Sequence, residues 1–309
     1  MNIPPAHGDP AAAIRHRRTR IGVACGLSAY GMWGFLPIYF KLLGDVSPVD
    51  IVAHRIVWSM LLLGVGVSLA GGWPAVRRAI AAPNRFRLLL ITASLIGVNW
   101  LLYVYAINSG HILAGSLGYY LNPLANILLG RFLLSERLSR LQWAAVALAA
   151  AGVAVLIAGA LDTLWISLTL CFSFALYGLL RKRVAADSVT GLTVETILLF
   201  PLALGWLALG FGSGRAVLGA GPGELALLAA SGILSTTPLL LFTEAARRLD
   251  YSTVGMLQFI APTLQFLLAV WVYGEHFTTA HAVAFGAIWL ALALYVSGSI
   301  RKWRMPLPE

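Results

Sequence analysis

From residue 21 onward the chain alternates long apolar runs with short polar breaks. Ten runs fall at 21–43, 48–70, 87–108, 112–134, 139–160, 162–181, 190–211, 224–246, 251–273 and 279–300. About 20 residues, rising about 1.5 Å each as a helix, cover a hydrocarbon core of about 30 Å. The breaks carry turn chemistry: GDVSP at 44–48, GGWP at 71–74, NSG at 108–110, GSG and GAGPG within 212–223. The pattern predicts an all-α polytopic membrane protein with ten transmembrane helices, and the short connections make neighbouring helices antiparallel.

Composition strengthens that expectation. Of 309 residues, 59% are hydrophobic and 11% charged, a charged share far below that of soluble domains. A net charge of +10 could indicate nucleic acid, but the basic residues sit in small clusters between apolar runs. With the N-terminus inside, 19 of the 22 Lys and Arg fall on one side. They lie before residue 21, at 77–87, 131–140 and 181–183, at Arg247 and Arg248, and after 300. Lys41, Arg55 and Arg215 are the remainder. This positive-inside pattern predicts a multi-pass membrane protein with both termini cytoplasmic. Residues 1–20 and 301–309 read as cytoplasmic tails.

Ten spans divide as five plus five, 21–160 and 161–300. An odd number of helices inserts the second copy upside down, as in many secondary transporters. At an offset of 139 residues Pro123 meets Pro262 and Glu136 meets Glu275; at 141, Ser47, His54 and Ile56 meet Ser188, Glu195 and Ile197. From these residues alone, two inverted five-helix repeats and an unrepeated bundle both stay open.

Against this background, polar residues inside the spans stand out. Arg55 lies seven residues into the second span, about 10 Å deep. A guanidinium at bilayer depth costs about 3 kcal/mol on insertion scales. Either it snorkels outward beside a packing residue, His54, or the two line an aqueous pathway. Glu195, on the seventh span, is the candidate proton carrier on the inner side; the alternative is a helix-start glutamate favoured by the dipole. Asn99 and Tyr103 share one helical face, Asn122 and Asn126 another. Pro123 between the latter pair frees a carbonyl that must face protein or water. These amides suit a ligand cavity or, alternatively, helix–helix hydrogen bonding. The ninth span repeats the design with Gln258 and Gln265 on one predicted face around Pro262. In the first span Gly31, Gly34 and Pro37 loosen the helix near Trp33, and the sixth echoes it with Tyr177–Gly178; these aromatics suit a pathway or plain packing. Gly22–Gly26 reads as close packing. Glu244 with Arg247 and Arg248, and Glu136 with Arg140, read as local ion pairs.

No HExxH, GxSxG or Walker A motif occurs, and no CxxC. Neither a catalytic residue nor a metal nor a cofactor is expected, and an intramembrane enzyme is disfavoured. A membrane scaffold or assembly protein stays open, though it needs no buried His, Arg, Glu and amides.

The stretches AYGMWGFLPIYFK, AHRIVWS, GVNWLLYVYAIN, SLGYYLNPLANILLG with SERLSRLQW, FSFALYGLLRK, VETILLFP and QFIAPTLQFLLAVWVYGE resemble RarD-type members of the EamA group of the drug/metabolite transporter superfamily. The resemblance runs through nearly all of residues 20–300. It implies two inverted five-helix repeats and a central cavity formed mainly by the first four helices of each. It implies an inner-membrane permease; the RarD label carries an association with chloramphenicol sensitivity. The motif positions carried over are Trp33, His54, Arg55, Asn99, Trp100, Asn122, Pro123, Asn126, Glu195 and Pro262. The expectation is a secondary transporter, an exporter of small polar or amphipathic metabolites or drugs working by alternating access, with protons as a coupling partner, lipid around it and no nucleic acid. Arg55 could attract a carboxylate on the solute.

Overall fold

The computed structural model describes residues 10–43, 46–108, 112–157, 164–213, 221–274 and 279–304. Among the described residues every regular element is a helix. In chain order they are α1 (Pro10–Leu42), α2 (Pro48–Leu69), α3 (Trp73–Ala81), α4 (Pro83–Asn108), α5 (Ile112–Leu133) and α6 (Arg140–Ile157). Then come α7 (Leu164–Arg183), α8 (Ser188–Gly212), α9 (Pro222–Arg248), α10 (Tyr251–Gln258), α11 (Ile260–Trp271) and α12 (Thr279–Arg304). Six of the described helices, α1, α2, α4, α7, α8 and α9, are long and apolar enough to cross a membrane.

Twelve segments replace the ten predicted runs for two reasons. The break at 71–87 contains a short helix, α3. Pro74 sits at its start, and Val76 and Ala79, three apart, bury one stripe while Arg77 and Arg78 stay exposed. The ninth run is split at Phe259. Pro262 has no N–H to donate to the carbonyl of Gln258, four residues back. Phe259 N bonds Met256 O at 3.3 Å in a tighter turn, and α11 restarts beyond it. Pro37 and Pro123, by contrast, lie inside single helices. α1 starts at Pro10, ahead of the first predicted run, because an alanine-rich segment with proline at its first position is a good helix start.

The helices pair in a regular way. α6 lies along α12; α1 runs beside α9 and α11, and α7 beside α4 and α5. α2 packs on α8 and α9, α4 on α8, and α5 crosses α10. Close approach is secured by glycine where it is needed. A Cβ on Gly255 would come within 2.7 Å of Pro123 O, so α10 can lie on α5 only with glycine there. Gly22 and Gly26 likewise face Leu249 and Leu257. At the centre, Tyr30 and Trp33 of α1 meet Phe174 and Tyr177 of α7 and Phe242 of α9. Trp33 is 5.8 Å from both Phe174 and Phe242, ring to ring.

The basic end is stitched together by cations on helix C-terminal carbonyls, the partners favoured by the helix dipole. Lys182 donates to Ala246 O and Leu249 O, Arg247 to Val184 O and Ala186 O, and Arg183 to Leu133 O. Arg18 donates to Arg247 O at 2.8 Å. Glu244 pairs with Arg248 one turn on, as its spacing predicts.

Candidate functional site

The site begins where α2 meets α9. A Cβ on Gly232 would sit 2.7 Å from the Trp58 backbone, so the two helices touch there. Ser59 Oγ donates to Gly232 O at 3.4 Å across the contact. One turn further along α2, Arg55 Nε donates to Ser235 Oγ at 2.7 Å. The guanidinium lies 5.0 Å from the Trp100 ring centroid, a cation–π distance. The titratable side chains facing it are Tyr119, Tyr39 and Tyr103. Tyr103 and Tyr119 pack edge to face at 5.5 Å. Arg55 therefore points into the molecule and stays partly exposed there.

Glu195 on α8 is 1% exposed. Its Oε1 accepts from Thr92 Oγ1 at 2.5 Å, and its Oε2 from Tyr177 OH at 3.2 Å. Arg181 Nε stands 3.5 Å from Oε1, and Arg181 is completely buried. The arginine was expected among the exposed inner-loop cations; it is instead turned into the core. Room for it comes from Gly191, where a Cβ would be 1.8 Å from Arg181 Nη1. Arg181 Nη2 donates to Ser188 O at 3.1 Å. The helix-start, partly wet setting for Glu195 does not hold: it is dry and ion-paired.

Between these two charges lies a small void of about 10 Å³, room for about one water. Its wall is mostly apolar, with Trp100 closing one side, but Ser59, Glu195, Thr196, Ser235 and Thr236 also border it. Ser235 and Trp100 also touch Arg55, so Arg55 and Glu195 mark two ends of one lining. A larger space of about 620 Å³ opens between α4 and α7, but its walls are Leu90, Ile91, Val98 and Phe172 and its polar groups are few. That groove is apolar and holds neither interior charge.

The amides divide differently from their predicted faces. Asn99 donates to Leu170 O and Ser173 Oγ, both at 2.9 Å, and holds α4 to α7. Tyr119 OH reaches Asn99 Oδ1 at 3.4 Å. Asn126 donates to Gln258 Oε1 at 2.7 Å across the α5–α10 crossing. Asn122 is fully buried, and among the described residues neither end of its amide has a hydrogen-bond partner. Gln258 and Gln265 do not share a face, because the break at Phe259 resets the helical phase. Gln265 is exposed and donates to Trp33 O at 3.0 Å. Trp33 and Tyr177 belong to the aromatic core, Tyr177 with its hydroxyl on Glu195. His54 is 3% exposed on α2, one turn past Asp50, whose carboxylate accepts from Trp206 Nε1 at 2.8 Å.

Several residues of the site were not singled out from the sequence: Thr92 and Arg181 on Glu195, and Ser235 and Thr236 on the void. A signal for the last two is visible afterwards. SGILSTTP at 231–238 places four hydroxyls and a proline inside an apolar helix. Pro238 interrupts the α9 ladder beside them.

Comparison with known proteins agrees with this architecture. The model of the EamA-like transporter family matches residues 20–158. A Vibrio cholerae protein named an uncharacterized transporter is 47% identical over 278 residues, 89% of this chain and 91% of its own. Escherichia coli protein RarD is 45% identical over 291 residues, 93% of this chain and 98% of its own. A Pseudomonas aeruginosa protein named chloramphenicol-sensitive protein RarD is 33% identical over 290 residues, 92% and 96% of the two chains. A solved crystal structure shares the fold, with a TM-score of 0.71 and 21% identity over 90% of this chain and 98% of that one. The apolar helices and these relatives make the protein a multi-pass membrane transporter. With whole-length relatives at this identity, the chain belongs to the EamA-like transporter family.

Proposed function

We propose that the protein is a secondary transporter that exports small polar or amphipathic solutes across a bacterial inner membrane, by alternating access, in exchange for protons. The two rocking bodies are residues 21–160 and 161–300, five spans each, with α10 and α11 forming one span and both termini in the cytoplasm. The pairing of helices supports that division. Exchanging the halves turns α1–α9 into α7–α4, α1–α11 into α7–α5 and α2–α9 into α8–α4, while α2–α8 and α6–α12 map onto themselves. Each of these pairs is in contact.

The observation that carries the proposal is the small interior void bordered by hydroxyl groups, with Glu195 at one end and Arg55 beyond the other. Such groups are retained at bilayer depth where they serve a pathway. In this reading Glu195 takes a proton when the void opens outward. It releases the proton inward, where Arg181 stabilises the carboxylate. Trp100, Tyr103 and the amides Asn122 and Asn126 border the solute path. A scaffold role would leave that lining without use.

The test is solute flux in proteoliposomes with and without an imposed pH gradient. Gradient-driven accumulation is expected in the wild type. Glu195→Gln should keep solute exchange and lose the response to the gradient. An unchanged gradient response in that variant would remove the proton role; no flux of any solute would remove the transporter mechanism proposed.

A further inference from the structure

The interior carboxylates near Arg55 are already engaged. Asp50 accepts from Trp206, and Glu195 is held by Arg181, Thr92 and Tyr177. Further along the chain, Glu136 is occupied by backbone amides of α10, and Glu244 by Arg248 and Ser188. Arg55 is different. Among the described residues its contacts are one neutral hydroxyl, Ser235, and one aromatic face, Trp100. Its other titratable neighbours are tyrosines. A guanidinium stays charged at any relevant pH, and a half-buried cation turned into the molecule without a counter-ion is costly. Only Nε is committed to a protein partner. The two Nη groups remain as the fork that binds a carboxylate through parallel hydrogen bonds.

We infer that Arg55 is the anchor of a substrate site for a monovalent organic anion, a carboxylate carried on an apolar or aromatic body. The inference rests on the transporter reading above and gives it a substrate class. One uncompensated positive charge matches one negative charge; a phosphate dianion would leave the site with excess charge in a poorly solvated interior. The walls fit the rest of the molecule. Trp100 offers a ring face to the guanidinium, and Tyr103 and Tyr119, packed edge to face on each other, lie close enough to act on its charge. Asn122 follows Tyr119 by three residues on the same helix, and its buried amide has an unused donor and an unused acceptor. It can serve a polar group one turn from the carboxylate. Ser235 fixes the guanidinium through Nε and leaves the fork free, so it is a positioning residue.

The experiment uses the purified full chain at neutral pH. Phenylacetate and decanoate are compared with phenylacetamide and decanamide by thermal shift and by quenching of tryptophan fluorescence. Phenylacetate arrives from water and decanoate partitions from the membrane phase, so the pair separates a soluble acid from a lipid-derived one. At least one acid should bind about tenfold or more tightly than its amide. That preference should vanish in Arg55→Gln and weaken in Ser235→Ala. The acid–amide comparison is made first on the wild type, so it stands even if Arg55→Gln does not fold. Amides matching acids, or neither acid binding, would overturn the assignment, as would a folded Arg55→Gln that binds acid as the wild type does. Counterflow of the bound acid in liposomes is scored separately: binding without flux would leave the site standing and count against the transport reading.

Discussion

Arg181 and Gly191 depend on each other. The guanidinium occupies the volume a Cβ would need, and no side chain larger than hydrogen fits at 191 without displacing it. Displacement would leave Glu195 buried without its cation. Losing one partner of a buried ion pair costs about 3–5 kcal/mol, whereas replacing both with apolar groups is often neutral. Arg181→Leu should therefore destabilise the protein by about that amount. The double variant Arg181→Leu/Glu195→Leu should recover most of it while losing any response to a pH gradient. Thermal unfolding in detergent reads the first effect and liposome flux the second; a double variant as unstable as the single would argue against pairing. Glu195 stood out in the sequence because a carboxylate inside an apolar run is rare. Arg181 did not, because Arg-Lys-Arg at a span end reads as a topology signal. Only the packing of α8 against α7 separates the first cation of that triplet from the other two.

At the scale of elements, Glu136 links the end of α5 to the start of α10. Ser135 adopts a left-handed conformation at φ 56°, and Glu136 N returns to Gly130 O at 3.0 Å, a typical helix ending. The turn carries the Glu136 carboxylate to α10, where it accepts from Tyr251 N at 2.5 Å, Ser252 N at 2.9 Å and Ser252 Oγ at 2.6 Å. The predicted Glu136–Arg140 pair is thereby corrected: residues 135–139 are not helical, so a four-residue spacing does not place the two on one face. Glu136→Ala leaves two amides of the α10 N-terminus without their acceptor and should cost about 1–2 kcal/mol. Glu136→Gln, which keeps an acceptor oxygen, should cost less. Unfolding midpoints of the two variants check this; equal values would mean the carboxylate does not cap α10. The proline thirteen positions before a glutamate was visible as a weak repeat. That this glutamate serves a helix more than a hundred residues later was not, because capping partners are set by tertiary contact.

At the scale of the whole molecule, α6 and α12 form a pair set apart from the charged lining. Their approach requires Gly152, where a Cβ would lie 2.9 Å from Ala284 O and 3.1 Å from Ala287 Cβ. The contacts between them are apolar: Ala145, Ala149 and Val153 against Ile288, Ala291 and Tyr295. Gly152→Leu should overpack this seam and lower stability by about 1–3 kcal/mol. Solute flux per folded molecule should be retained, since no residue bordering the void belongs to either helix. Unfolding and flux measured on one preparation give the outcome. Loss of flux at full stability would place α6 and α12 inside the transport machinery and contradict their peripheral position.

The sequence by itself determined the solvent and the element type. Apolar runs of helical length, sparse charge and clustered cations leave a helical, membrane-embedded chain as the physical outcome, and rare polar residues inside those runs stood out as Arg55, Asn122 and Glu195. Tertiary structure decided partnership. Whether Asn99 lines a cavity or ties α4 to α7, whether Gln258 and Gln265 share a face, and whether Arg181 meets lipid headgroups or Glu195 all depend on which helix lies alongside and where a ladder breaks. Periodicity is a property of one helix. Pairing, burial and the void are properties of several packed together, and no one run of sequence contains them.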